Sequence, residues 1–340
     1  MKKYFLPAVI FFACPSLLKA QLDTQLSNYW ATVGYYNPAY AGQSEKLNVT
    51  LMSRMQWLGI SNAPRTTIVT ADMSCQFLGR THGVGFLMYN DRIGLFSTSA
   101  TYGQYAWKTK LFKGNFSLGL QGGSVSQSFD GTKGDIPEDD YHTPLGSDPA
   151  IPTVDVSGKG TDASLGLFYD KGKWFAGLSV NHLLSPKIDL DDKYVYEIPR
   201  TYYFVGGYNM QLSNPLLELQ PTVFLKTMEM SSLHFTPDSL QEQIESNTLK
   251  AMLRNSQASF SLRLIYDKKF WGGLSWRYGD AVVLMLGGKF KTIEAGYAYD
   301  FPVSRIIKVS TGSHEVFLKY PMDLNLKKQR KSKHKSIRIL

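Results

Sequence analysis

Cysteine is nearly absent from this sequence of 340 residues, which contains only Cys14 and Cys75. Cys14 lies in an N-terminal stretch that we expect to be removed, so the mature chain would keep one cysteine and form no intrachain disulfide. A catalytic cysteine would need a histidine partner, and the spacing of the sequence offers none. We therefore expect Cys75 to be an ordinary strand residue and the stability of the fold to come from other interactions.

Long apolar runs are also missing beyond the N-terminus. No stretch of about 18 apolar residues follows it, which excludes a membrane-spanning helix. With 43% hydrophobic and 19% charged residues the chain is not a disordered polymer, and 13% aromatic residues with 29 glycines favour strands and tight turns. The length leaves the number of domains open, since one domain takes roughly 150 residues and β-barrels often run longer.

Acidic residues are absent from both ends of the chain, so the net charge of +9 is unevenly distributed. Three lysines fall in residues 1–20, while residues 21–326 hold 27 basic and 28 acidic residues. The last fourteen residues contain seven basic side chains: Lys327, Lys328, Arg330, Lys331, Lys333, Lys335 and Arg338. The body is therefore almost neutral, and the charge does not indicate a domain that binds nucleic acid.

Residues 1–20 have the pattern of a secretory signal peptide. Lys2 and Lys3 precede an apolar stretch from Tyr4 to Ala13, and the small Ala20 stands at the expected cleavage position before Gln21. The alternative is a lipoprotein signal with Cys14 as the acceptor, but there only Ala13 fits well, because a leucine is normally found three residues before the cysteine. We expect export by the first route.

Two-residue alternation runs through most of the sequence. In residues 257–266, for example, Phe260, Leu262 and Leu264 alternate with Ser259, Ser261 and Arg263, which predicts strands with one apolar face. Many of the strands reach the roughly 9 to 11 residues that a tilted strand needs to cross a bilayer. The fourteen strands are expected at 47–57, 65–77, 82–90, 95–111, 115–128, 161–170, 173–182, 200–212, 216–228, 257–267, 270–278, 281–289, 291–300 and 314–320.

The connections between these strands alternate in length. The even-numbered ones are all short, whereas the odd-numbered ones include the long segments 129–160, 183–199, 229–256 and 301–313. Short turns on one rim and long loops on the other are typical of an outer-membrane barrel with periplasmic turns and extracellular loops. A soluble β-sandwich is the alternative, but it gives no reason for the alternation. We therefore predict an all-β, antiparallel outer-membrane barrel of about 14 strands spanning residues 47–320.

Aromatic residues near the strand ends fit the interfacial girdles of such a barrel. The tryptophans concerned are Trp57, Trp107, Trp174, Trp271 and Trp276. Small and polar residues are then expected to face the lumen, such as Glu294, Gly296, Ala298 and Asp300, with Ile293, Ala295, Tyr297 and Tyr299 facing outward.

The termini of the mature chain are expected in the periplasm. Residues 21–46 form an aromatic segment that could plug or line the barrel. Residues 321–340 form a basic tail without regular structure. In the periplasm the tail could not reach nucleic acid, and its candidate partners are an anionic cell-wall polymer or an acidic protein surface. A role in solubility or assembly alone is the alternative.

Two of the long connections have their own features. The acidic segment 129–162 could bind calcium, but it lacks the ordered spacing of an EF-hand, so a solvated loop is the better interpretation. In 229–256, Ser239-Leu240-Gln241-Glu242 resembles a helix-capping box, which predicts a short surface helix that is either a partner-binding lid or simply an ordered loop.

No catalytic constellation is evident. The six histidines are isolated from one another, and the sequence has no nucleophile elbow, zinc-ligand spacing or phosphate-binding loop. We expect a protein without enzymatic activity, cofactor or metal.

Several short motifs remain to be explained, and their main positions are Asn37, Pro38, Ala39, Tyr40, Gly42, Arg54, Gln56, Trp57, Gly59, Pro64, Gly85, Asp91, Gly94, Gly312, His314 and Glu315. Taken together, these motifs resemble the PorP/SprF family of Bacteroidetes outer-membrane proteins. The resemblance extends from about residue 22 to residue 320, and the order and spacing of the motifs are more specific than any single one. We expect these positions to be architectural and not catalytic.

The resemblance implies a component of the type IX secretion and gliding-motility machinery. A PorP-like member is expected to lie in outer-membrane lipid and to contact the periplasmic ring of PorK and PorN, together with a peptidoglycan-binding partner that resembles PorE. An SprF-like member would instead help a large adhesin to reach the cell surface. A porin or a channel for small solutes is the alternative from a different class.

Overall fold

The computed structural model describes residues 24–133, 152–191, 194–229 and 255–323. As the two-residue alternation predicts, most of these residues form strands. The strands are β1 (Leu47–Met55), β2 (Arg65–Phe77), β3 (Arg80–Ile93), β4 (Phe96–Leu111), β5 (Gly114–Asp130), β6 (Asp155–Asp170), β7 (Trp174–Asn181), β8 (Lys187–Asp191), β9 (Tyr194–Glu197), β10 (Thr201–Tyr208), β11 (Met210–Gln211), β12 (Leu217–Met228), β13 (Gln257–Tyr266), β14 (Phe270–Arg277), β15 (Ala281–Phe290), β16 (Ile293–Pro302) and β17 (Ser313–Met322).

The main sheet closes on itself. β1 pairs with β2 on one side and with β17 on the other, and every pairing is antiparallel. β10 pairs with β12, and β11 continues the line of β10 after an interruption at Asn209. With β10 and β11 taken as one strand, the protein is a closed barrel of fourteen antiparallel strands. The predicted fold class is confirmed.

The two rims of the barrel differ in their connections. β1 begins and β17 ends on the same rim, where Leu47 pairs with Met322. We call this the short-turn rim, because its connections are 78–79, 112–113, 171–173, 212–216, 267–269 and 291–292. The opposite, long-loop rim carries 56–64, 94–95, 131–154, 182–200, 229–256, 278–280 and 303–312. All the long connections lie on this rim, as the alternation predicts, although two of its connections are also short.

The apolar faces of the strands point outward. On β13 the side chains of Phe260, Leu262 and Leu264 are exposed, while Ser259 and Ser261 are buried. β16 has the predicted alternation as well, with its small and acidic residues turned inward. This arrangement is the reverse of a soluble protein and matches a barrel whose outer surface contacts lipid.

One feature of the long-loop rim is absent from the sequence-based map. β8 and β9 form a separate two-stranded hairpin within the segment that was expected to be a loop. The side chain of Ile188 is fully buried, and Gly158 and Gly160 on β6 leave room for the backbone of Asp189 and for Ile188 itself. The hairpin therefore packs against the extended upper part of β6, which begins at Asp155 and not at the predicted residue 161.

Short helical turns complete the described structure: α1 (Val33–Tyr36) and the 3-10 turns Pro38–Tyr40, Gly131–Lys133 and Arg305–Lys308. No helix in the described part of the chain is both long and apolar enough to cross a membrane. The helix expected around residues 239–252 and most of the acidic segment, residues 134–151, lie outside the described residues.

Candidate functional site

The N-terminal segment lies inside the barrel. Residues 24–46, which we call the plug, run through the lumen from the long-loop rim to the short-turn rim, where the chain enters β1. Most plug side chains up to Ala41 are buried. The sequence left open whether this segment plugs or lines the barrel, and in the structure it runs through the lumen. The assignment of residues 21–46 to the periplasm stays a prediction.

The upper part of the plug contacts a buried cluster of charges on the barrel wall. Arg54 on β1 forms ion pairs with Asp300 on β16, at 2.7 Å, and with Glu315 on β17, at 3.2 Å. Arg277 on β14 pairs with the same Asp300 at 2.9 Å. Ser27 of the plug lies between them, because its hydroxyl donates to Asp300 at 2.6 Å and accepts from Arg54 and from Arg277. Two guanidinium groups and two carboxylates thus surround one plug side chain.

Glu315 binds the backbone of the plug at Ser27 and Asn28. Its carboxylate accepts hydrogen bonds from the N–H of Ser27 at 2.8 Å, from the N–H of Asn28 at 2.6 Å and from the Asn28 amide at 2.9 Å. Arg277 also donates to the carbonyl of Leu26 at 3.2 Å. Buried charges are tolerated only where such partners satisfy them, so the cluster and the plug depend on each other.

Aromatic contacts fix the middle of the plug. The Trp30 ring lies 3.5 Å from the guanidinium carbon of Arg263 on β13 and packs edge-on against Trp271 and Phe317. Trp271 was expected in an interfacial girdle. It points into the lumen and is 8% exposed, because it sits on the lumen face of β14 opposite the plug.

Tyr29 and Tyr36 connect the plug to the barrel wall on the side of β10, β12 and β13. The Tyr29 hydroxyl donates to Ser261 and lies 2.7 Å from the Thr222 hydroxyl, and its ring stacks on Phe224. The carbonyl of Tyr36 accepts a hydrogen bond from Ser179 on β7.

The lower part of the plug is the motif from Asn37 to Gly42. The Asn37 amide donates to the backbone carbonyls of Leu167 on β6 and Leu178 on β7, at 3.0 and 3.3 Å, and its oxygen caps the following turn through Ala39. Gly42 has a left-handed backbone with φ of 66° and donates to Asp72 on β2.

Glycines on the wall make room for this motif. A Cβ atom on Gly119 would lie 2.1 Å from the nitrogen of Ala39, and one on Gly83 would lie 2.0 Å from the carbonyl oxygen of Ala41. Gly85, one of the expected family positions, has the same role, because its Cβ would meet Ala41 and Gln104. The motif and these glycines form one close-packed contact.

A polar group lies beside the start of the plug near the long-loop rim. Asp91 accepts hydrogen bonds from Thr66 at 2.6 Å and from Thr24 at 3.2 Å. Close by, Asp162 accepts from Tyr102, and its carboxylate lies 2.8 Å from that hydroxyl and 2.7 Å from His182.

The β8–β9 hairpin covers this end of the lumen. A cavity of about 30 Å³ remains between the hairpin residue Tyr196 and the plug residues Thr24 and Tyr35. It has room for about one water molecule.

The remaining motif residues lie in the connections of the long-loop rim. The Gln56 side chain points inward to Gln25, and its backbone N–H bonds to Pro64. The connection 56–64 is joined to 303–312, since Leu58 donates to the carbonyl of Gly312 and Trp57 donates to Ser313. Trp57 is therefore half-buried and part of a contact between two connections of this rim.

Three further motif residues stabilise the same rim. Gly59 and Gly94 have left-handed backbones, with φ of 101° and 62°, and Gly94 donates to Asn62 in the neighbouring connection. His314 lies 2.7 Å from the Tyr297 hydroxyl on the wall.

The structure thus brings Arg54, Gln56 and Glu315 together around the upper part of the plug, and Asp91 binds its first described residue. The Asn37–Gly42 motif is the lower part of the plug itself. Sequence reasoning missed Ser27, Asn28, Arg263 and Arg277 as plug contacts. The only signal for Arg263 and Arg277 was their place on the polar face of a strand. The basic tail from Lys327 to Arg338 lies outside the described residues. Within the described residues, no group of three His, Cys, Asp or Glu side chains is placed to hold a metal ion.

The fold and the lumen define a class: a membrane β-barrel that holds its own N-terminal segment inside. The chain belongs to the type IX secretion system membrane protein PorP/SprF family, whose profile matches residues 18–320. The resemblance inferred from the motifs is therefore confirmed. No curated protein matches the sequence.

Solved membrane barrels are similar to this chain at very low sequence identity. The CymD monoaromatic hydrocarbon channel is 12% identical with a TM-score of 0.48, over 86% of this chain and 93% of CymD. The Pseudomonas putida toluene transporter TodX is 9% identical with a TM-score of 0.46, over 88% and 94%. The translocator domain of the autotransporter NalP from Neisseria meningitidis is 12% identical with a TM-score of 0.43, over 83% and 90%. At this level of similarity no function is transferred.

Proposed function

We propose that this protein is a non-conducting outer-membrane anchor of the type IX secretion apparatus. The observation that carries the proposal is the occupied lumen. The plug contacts the wall through an ionic cluster, an aromatic layer and a glycine-lined motif, at successive levels between the two rims. A channel needs a continuous aqueous path through the barrel. The contacts of the plug instead make the lumen a packed structural core.

The absence of an enzymatic role fits the same site. Its charged groups are paired with one another or with the plug backbone, so none is left poised towards a substrate. Buried ion pairs of this kind serve structure and specificity of packing. The architectural role expected for the motif residues is therefore part of the proposal.

The partners are inferred from the family. A PorP-like member would contact the periplasmic ring of PorK and PorN and a peptidoglycan-binding protein that resembles PorE. The short-turn rim would face the periplasm, and the chain leaves β17 on this rim. The basic tail that follows could then reach an acidic partner surface without passing the barrel.

An SprF-like role, in which the barrel helps a large adhesin to the cell surface, is distinguished from the PorP-like role by genetics. Deletion of the gene should leave many type IX substrates in the periplasm if the barrel is a general anchor. If a single adhesin is lost from the surface and other substrates are exported normally, the SprF-like role is supported. Normal export of all substrates would contradict both.

Conductance tests the porin alternative directly. In planar bilayers the intact protein should give no stable conductance steps, whereas a variant that lacks residues 24–36 should give steps if it folds. Its folding can be checked by the heat-dependent change in electrophoretic migration that closed barrels show. Stable steps with the intact protein would instead support a porin.

A further inference from the structure

The short-turn rim has an excess of positive charge that the rest of the barrel lacks. Its six turns with their flanking residues, which we call the collar, are 77–80, 110–114, 170–174, 209–216, 266–270 and 289–293. The collar contains two acidic residues, Asp170 and Asp267. It contains nine basic residues: Arg80, Lys110, Lys113, Lys171, Lys173, Lys268, Lys269, Lys289 and Lys291.

The described residues of the opposite rim are balanced in charge. Its described connections and the residues that flank them (55–65, 92–97, 130–133, 152–155, 181–191, 194–201, 228–229, 255–257, 277–281 and 302–313) contain eight basic and seven acidic residues. The excess of positive charge is therefore a property of one rim and not of the barrel as a whole.

The same turns expose large apolar side chains. Phe112 is 80% exposed, Phe290 75%, Phe77 63% and Phe270 62%. The remaining two turns expose Trp174 and Leu216. Five of the six turns thus combine at least one basic residue with an exposed aromatic ring, and only 209–216 has no basic residue.

The backbone of these turns is unfavourable for such residues. Phe112 and Lys113 both have left-handed φ values, of 45° and 64°, in a two-residue hairpin where asparagine and glycine are preferred. Lys268 and Lys291 have the same conformation, with φ of 52° and 54°. Phenylalanine and lysine do not help these turns to form, so their presence needs another explanation.

We propose that the collar binds anionic phospholipids of the leaflet that surrounds the short-turn rim. Aromatic rings are stable at the boundary between acyl chains and headgroups, and lysine ammonium groups reach outward to phosphate. The two side-chain types recur around the circumference of the barrel, as a surrounding lipid shell requires. An acidic protein would need one continuous basic patch, and it would not need an exposed aromatic ring on five of the six turns.

The experiment measures lipid preference with the full-length protein. Mixed micelles would contain phosphatidylglycerol and phosphatidylcholine in equal amounts, and native mass spectrometry would count the molecules of each lipid that stay bound. The collar variant is K171Q/K173Q/K289Q/K291Q. The matched control is R65Q/K187Q/R305Q/K308Q, which removes four exposed basic residues from the long-loop rim. Both variants keep the tail and have the same net charge.

The intact protein should retain more phosphatidylglycerol than phosphatidylcholine. In the collar variant this preference should fall by at least about fivefold, whereas the control should keep it, because charge near the headgroups governs the attraction. The pairs K171Q/K173Q and K289Q/K291Q, made separately, give partial losses and serve if the fourfold variant does not fold. Equal retention in the collar variant and the intact protein would overturn the proposal.

Two further outcomes also overturn it. One is an equal loss of preference in the collar variant and the control. The other is an unchanged lipid preference with loss of an acidic periplasmic protein from pull-downs of the collar variant, which would make the rim a protein-docking surface. The proposal does not depend on a role in secretion, because lipid retention is measured without any other component.

Discussion

The carboxylate of Glu315, near the start of β17, accepts a hydrogen bond of 2.6 Å from the backbone N–H of Asn28 in the plug. The two residues are 287 positions apart in the chain. Glu315 is also paired with Arg54, so one carboxylate joins the first strand, the last strand and the plug. The pairing of β1 with β17, which closes the barrel, is thus also the place where the plug binds to the wall.

Replacement of Glu315 tests this connection. Glu315→Gln keeps the shape of the side chain but removes the charge that faces Arg54, and breaking a buried pair costs about 3–5 kcal/mol. We expect a corresponding loss in the free energy of unfolding in detergent, measured with guanidinium. Asp323→Asn is the control, because the Lys46–Asp323 pair is exposed and its loss should cost less than about 1 kcal/mol. If the two variants lost equal free energies of unfolding, a special role for the buried Glu315–Arg54 pair would be contradicted.

Close packing of the plug motif predicts a second result. Gly119→Ala would place a methyl group against the backbone of Ala39, and overpacking of this kind costs about 1–3 kcal/mol. Hydrogen exchange of the amides in 37–42 should become faster. Gly122→Ala, on the same strand with no atom within 4 Å of its Cβ, should leave exchange unchanged. Unchanged protection in both variants would show that the motif does not need the space at Gly119.

The stacking of Arg263 on Trp30 predicts a measurable coupling. A double-mutant cycle of Trp30→Leu and Arg263→Met should give a coupling energy of about 2 kcal/mol, because Arg263 is buried and Trp30 is half-buried. Arg80 and Trp107 provide the comparison, since their distance is 6.0 Å and Arg80 is exposed. Their cycle should give less than about 1 kcal/mol. A coupling near zero for the first pair would show that the aromatic layer only fills space.

Removal of the tail should separate folding from partner binding. A chain without residues 327–340 should keep the heat-dependent migration of a folded barrel but co-purify less of its periplasmic partners. The difference from the intact chain should be largest at low salt, where charge attraction is least screened. Recovery of the same partners in the same amounts would exclude the tail as a contact.

Protease accessibility tests the orientation in the membrane. A cleavable tag in the connection 131–154 should be cut on intact cells, because the long-loop rim is expected outside. A tag at Lys171-Gly172, on the short-turn rim, should be cut only after the outer membrane is permeabilised. The reverse pattern would invert the orientation on which both the ring contact and the tail contact depend.

Strand positions were predictable because alternation and turn residues are local signals. β12 was expected at 216–228 and is found at Leu217–Met228. β1 was expected to reach residue 57 but ends at Met55, because Gln56 bonds to Pro64 and Trp57 adopts a left-handed backbone. The β8–β9 hairpin was missed because its two short strands gain stability from packing on β6, which no local pattern records.

The functional site was predictable only in pieces. The motif residues Arg54 and Glu315 were noted, but as architectural marks, and nothing in their spacing showed that they meet. Trp271 was assigned to the membrane interface because tryptophans near strand ends usually lie there. Its inward orientation follows from its register in β14, where a shift by one residue exchanges the two faces.

By itself the amino-acid sequence determined that the chain forms a barrel, because strand periodicity and turn length are set by neighbouring residues. It also determined that the charge is concentrated at the ends and that the body is neutral. Only the tertiary structure decided that the N-terminal segment fills the lumen, because its partners are hundreds of residues away and meet only when β17 closes against β1. The contacts inside the barrel form only when the barrel closes, so no single segment of the chain determines them.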